Sequence, residues 1–66
     1  MEYTNTQMRQ AILEHVHSLR DRNLLKRRLI DGMTFEALSV EFSLSVRQVK
    51  SIVYKNEKIL FKHLSN

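Results

Sequence analysis

An all-α fold, a compact bundle of about four helices, is predicted by three observations. Apolar residues recur at three- and four-residue steps along most of the chain, and side chains able to cap a helix stand before those runs. A single glycine and no proline accompany many leucines, lysines, arginines and glutamates. Sixty-six residues make one small domain, 1–66, below the size at which a hydrophobic core is generous. Without cysteine, neither a disulfide nor a thiolate metal site supports it, which fits a reducing cytoplasm. Charges interrupt every apolar run, so no signal peptide and no membrane span is expected, and the chain is expected to be soluble.

Two support helices are expected over about 5–31. Met1 to Tyr3 are expected to fray, and one of Thr4, Asn5 or Thr6 caps the first helix, with Thr4 and Gln7 spaced for a capping box. Met8, Ile12, Val16 and Leu19 follow at helical spacing. That face either closes the core over the later helices or forms the seam of a homodimer. His15 and His17 are two apart and point to nearly opposite sides of a helix, so they are read as ordinary polar positions, not metal ligands.

Asp21 is the expected cap of the second helix, Arg22 to Ile30 or Asp31, whose apolar face is Leu25 and Leu29 with Leu24 or Ile30 beside it. Gly32 supplies a left-handed residue to end it. Arg20, Arg22, Lys26, Arg27 and Arg28 form a basic cluster. Its alternatives are phosphate contact and pairing with Asp31 or Glu36.

Thr34 caps the third helix, Glu36 places an acid near the positive end of the dipole, and Met33 with Leu38 is spaced as a hydrophobic staple. Leu38, Phe42 and Phe35 are its apolar side. Ser43-Leu44-Ser45 makes a turn. Ser45 with Gln48 forms a capping box for the fourth helix, and Leu44 with Val49 a second staple. These elements make a helix-turn-helix over about 34–55.

The fourth helix is expected to run to about His63 or Leu64, close to 30 Å at about 1.5 Å per residue. Val49, Ile52, Val53 and Leu60 recur on one side of it, while Arg47, Lys50, Ser51, Tyr54, Lys55, Lys58 and Lys62 take the other. At its tail Leu60, Leu64 and Ile59 are expected in the core, leaving Phe61 exposed as a contact for a partner. His63 lies near the helix terminus, where an imidazolium suits the dipole.

Charge is segregated along the chain. Residues 1–44 carry six Lys or Arg against six Asp or Glu, so the net +4 belongs to residues 45–66, where five Lys or Arg meet Glu57 alone. Such a concentration attracts polyanions, and a helix about 10 to 12 Å across fits the major groove of DNA. No Gly-rich phosphate loop, thiol, or histidine set beside a serine and an acid is present, so an enzyme is not expected and no cofactor is implied.

The stretch GMTFEALSVEFSLSVRQVKSIVYKNEKIL resembles the helix-turn-helix of region 4 of the sigma-70 family of bacterial transcription factors. It is similar to the variety found in small stand-alone proteins of Gram-positive bacteria and their mobile elements. The resemblance covers roughly Leu24 to Leu64 and rests on Gly32, Thr34, Leu38 with Phe42, Leu44-Ser45, and Val49 with Ile52. It implies main base contacts at Val46, Arg47, Lys50 and Ser51. Beside these, Ser45 is expected to bond a phosphate or cap its helix, and Gln48, Tyr54, Lys55 and Lys58 to hold the backbone or the groove edge. Three departures bear on it. Ala37 stands where the family usually has an acid, and Ser39 and Ser43 where alanine and often glycine are usual. Arg47 replaces the glutamate of promoter-reading members, and a guanidinium favours guanine or phosphate. A −35 promoter element is therefore not the expected site.

The expected function is that of a sequence-specific double-stranded-DNA-binding protein, a small transcriptional regulator in the cytoplasm. The regions with which a full sigma factor grips polymerase and melts a promoter are not expected within these 66 residues. Two other readings stand beside it: an interaction module that docks on RNA polymerase or another regulator through Phe61, and a phage or transposon accessory protein for DNA packaging or recombination.

Overall fold

The computed structural model describes residues 4–64, which form α1 (Asn5–His15), α2 (Leu19–Leu29), α3 (Phe35–Phe42) and α4 (Val46–Leu64). The frayed end expected at Met1 to Tyr3 lies outside the described residues. Thr4 caps α1 through the expected box: Gln7 N donates to Thr4 Oγ1 at 3.1 Å, and Thr4 N donates to Gln7 Oε1 at 2.9 Å.

The first departure follows. α1 ends at His15 rather than continuing through Leu19, and Val16 is buried in an extended conformation. Leu19 opens α2 and is 72% exposed, so it is not part of the apolar face assigned to the first helix. Ser18 caps α2, its hydroxyl accepting from Asp21 N at 3.4 Å; Asp21 sits in the first turn and is not the cap. Ser18 and Asp21 are themselves a capping pair at three-residue spacing, the local signal for this boundary. Arg22 holds the break closed. Its Nε donates to the Val16 carbonyl and Nη2 to that of Leu13 at 2.9 Å, satisfying oxygens that the end of α1 leaves open.

Gly32 is left-handed as expected (φ 73°), but α2 stops earlier than expected, at Leu29 with Ile30 as its C-cap, so the glycine turns the loop that follows and does not itself end the helix. Thr34 caps α3 by accepting from Ala37 N at 3.1 Å; with no acid at position 37 the reciprocal bond is absent. α3 ends at Ser43, a non-glycine residue at φ 55°, ψ 44°. Leu44 N donates to the Ser39 carbonyl at 3.0 Å across it, the wrapped geometry that ends many helices at glycine. The turn is thus three residues long, and α4 starts from a fixed position.

Ala11, Ile12, Val16, Leu24, Leu25, Leu38, Val49, Val53 and Leu60 form one core, drawing on every helix. Met8, Leu29, Met33, Phe35, Phe42, Leu44, Ile52 and Leu64 pack around it half-buried. Burying a side chain such as Leu or Ile contributes about 1.5–3 kcal/mol relative to exposure, and this core is what offsets ordering of so short a chain. The apolar face of α1 is spent inside the chain, closing the core. α3 packs on α4, α2 touches the other three, and α1 and α3 do not meet. α4, at about 1.5 Å per residue, runs most of the 33 Å long dimension.

Two details of α4 depart from the sequence pattern. Asn56 occupies a core position, 6% exposed, between Val53 and Leu60; its Nδ2 donates to the Ile52 carbonyl at 2.8 Å. Ile59 is as exposed as Phe61, 37% against 36%, so Ile59 does not take the core position expected of it.

Candidate nucleic-acid interface

The capping box at the start of α4 is complete: Gln48 N donates to Ser45 Oγ at 3.0 Å and Ser45 N donates to Gln48 Oε1 at 2.9 Å. Both residues therefore orient the helix first, which leaves the Gln48 side-chain NH₂ and the Ser45 hydroxyl proton for any further partner. Val49 and Val53, fully buried, fix the rotation of α4 about its axis. With that rotation set, Arg47, Lys50, Ser51, Tyr54, Lys55 and Lys58 are all exposed, and Val46 is half-buried at the first turn. Among the described residues, Arg47, Lys50, Lys55 and Lys58 make no ion pair. Their charge is left for solvent or an external anion.

The second basic cluster is sorted differently. Arg20 pairs with Asp21 at 3.2 Å, and Arg22 is folded onto the end of α1. Arg27 bridges Asp31 at 3.5 Å and Glu41 at 3.0 Å, tying α2 to α3. Asp31 is one of the two expected partners; Glu41 takes the place of Glu36. Arg28 instead lies over the Phe35 ring, 4.0 Å from its centroid, with Nη1 donating to the Met33 carbonyl at 2.7 Å. The same ring meets Lys50 Nζ at 5.7 Å and the edge of Tyr54 at 5.9 Å. Cation–π contacts of this exposed kind contribute about 0.5–1 kcal/mol each.

Away from this side, His15 and His63 stack at the α1–α4 seam, and Glu14 lies 3.8 Å from His15 Nε2. Sequence spacing does not reveal this pairing of histidines. Among the described residues no group of three or more His, Cys, Asp or Glu is arranged to hold a metal ion, and no helix is long and apolar enough to cross a membrane.

Compared with known protein families, curated proteins and solved structures, the chain has no match.

Proposed function

We propose that this chain is a sequence-specific double-stranded-DNA-binding protein, a small transcriptional regulator resembling sigma factor region 4 and acting in a bacterial cytoplasm without catalysis or cofactor. One observation carries the reading: Arg47, Lys50, Ser51, Tyr54, Lys55 and Lys58 are exposed together on a helix anchored at its start, and their cations have no internal acid. In this reading α4 enters the major groove. Arg47, Lys50 and Ser51 meet base edges, Val46 meets a thymine methyl, and Tyr54, Lys55 and Lys58 hold phosphates or the groove edge. Ser45 and Gln48 set the angle of approach and offer their remaining donors to the backbone.

A second reading draws on the exposed Ile59 and Phe61 at the far end of α4, which would suit docking on RNA polymerase or another regulator. Selection of bound sequences from random duplex DNA separates the two. Anisotropy would then be measured on the selected duplex at several salt concentrations, beside an Arg47→Glu, Lys50→Glu double variant. A consensus, steep salt dependence and loss in the variant are expected. Binding without a consensus would favour a packaging or recombination accessory role, and no binding at low salt would favour protein docking.

A further inference from the structure

Within the basic cluster of α2, neighbouring arginines have opposite fates. Arg27 is neutralised by Asp31 and Glu41, whereas Arg28 makes no ion pair among the described residues and turns onto the start of α3. Its guanidinium lies on Phe35, and one nitrogen is tied to the Met33 carbonyl. A guanidinium has five N–H donors, so most remain for another acceptor. The ring that holds it also borders the Lys50 ammonium and the Tyr54 ring, both on the exposed side of α4. Two uncompensated cations from different helices thus converge on one half-buried aromatic ring. Like charges gathered without an acid are an arrangement that an anion relieves, and a planar guanidinium suits phosphate oxygens.

We infer that Arg28 is a phosphate contact of the DNA face, and that Phe35 is a positioning residue which holds Arg28 to a backbone phosphodiester and steers Lys50 into the groove. The inference rests on the DNA-binding reading above. It widens the interface from α4 to the C-terminal turn of α2, with the first residue of α3 as the link. The leucine or isoleucine that would satisfy the core at position 35 lacks the ring that both cations need.

The test is anisotropy against salt on a selected duplex and a random-sequence duplex, with thermal melting of every variant. Arg28→Gln is expected to reduce the steepness of log K against log salt by about 0.9, the loss of one phosphate, without changing the ratio of selected to random affinity. Phe35→Leu is expected to lose the same steepness and to lower that ratio, and Phe35→Tyr to restore both. Combining Phe35→Leu with Arg28→Gln should remove no further phosphate. Arg20→Gln removes the same charge from an exposed pair and should leave the slope unchanged. An unchanged slope in Arg28→Gln, an equal loss in Arg20→Gln, or additive losses in the double variant would overturn the clamp while leaving DNA binding intact. Absence of salt-dependent binding by the unmodified chain would overturn the DNA reading with it. Where Phe35→Leu melts too low to assay, the comparison of Arg28→Gln with Arg20→Gln decides the phosphate contact, and Phe35→Tyr against Phe35→Met decides the ring.

Discussion

His15 at the end of α1 and His63 near the end of α4 lie face to face, their ring centroids 3.8 Å apart and their planes 6° from parallel. The contact joins the C-terminal ends of α1 and α4. A double-mutant cycle with His15→Ala and His63→Ala is expected to show coupling of about 0.5–1.5 kcal/mol in urea unfolding, the range for paired aromatic rings. Additive losses would mean that the rings merely lie near one another. DNA affinity should change little, because the seam is remote in sequence from Arg47 and Lys50.

Arg22 is expected to matter for stability and not for nucleic acid. Its guanidinium serves the Leu13 and Val16 carbonyls at the α1–α2 break. Arg22→Ala should cost about 1.5–3 kcal/mol, as hydrogen bonds to a charged donor do, and lower Tm by several degrees. The salt dependence of DNA binding, measured at a temperature where the variant is folded, should match that of the unmodified chain.

Ser43 holds a left-handed conformation that L-residues adopt at a cost of roughly 1–2 kcal/mol. Ser43→Gly is therefore expected to stabilise by about 0.5–1 kcal/mol, less than the full relief because glycine also loosens the unfolded chain. Ser43→Val should destabilise. Chemical denaturation of the three forms gives the order directly, and a less stable glycine variant would show that the serine side chain contributes something the turn geometry does not reveal.

Asn56 is the one buried polar residue of the described core, and its bond goes to a carbonyl of its own helix. Because that carbonyl already takes part in the backbone ladder of α4, the side chain's bond returns little for its desolvation. Asn56→Leu is expected to be neutral or stabilising by about 1 kcal/mol. Asn56→Asp should cost about 3 kcal/mol or more at neutral pH, since it buries a carboxylate without a partner. Burial raises a carboxyl pKa above its unfolded value, so the variant should regain stability as pH falls toward the acid range. Melting curves at neutral and acid pH would check both.

On the DNA face, Arg47→Ala is expected to weaken binding by about 1–3 kcal/mol and relax preference at one base pair. Lys58→Ala should weaken selected and random duplexes alike and flatten the salt slope by about 0.9. Equal losses on both duplexes for Arg47→Ala would remove it from base reading. Competition titrations with singly substituted duplexes separate these outcomes.

Local order in this chain was legible because it is written in short spacings. Thr4 with Gln7, Thr34 with Ala37, and Ser45 with Gln48 act across three residues, and Gly32 acts within its own backbone. The four-helix class, the turn at Ser43-Leu44-Ser45 and the exposed side of α4 follow from such signals and from the three- and four-residue apolar steps. The boundary between α1 and α2 is obscured in the sequence because Val16 and Leu19 continue a helical rhythm, while the Ser18 cap competes with it. Tertiary structure alone decided the rest. Whether an arginine in a basic run pairs with an acid, closes a helix end or rests on a ring depends on what the turns bring beside it, and Arg22, Arg27 and Arg28 met three different neighbours. The same holds for His15 against His63 and for the core place of Asn56. Caps and periodicity act between residues a turn apart, whereas charge pairing and ring contacts act between helices, whose relative placement no local spacing encodes.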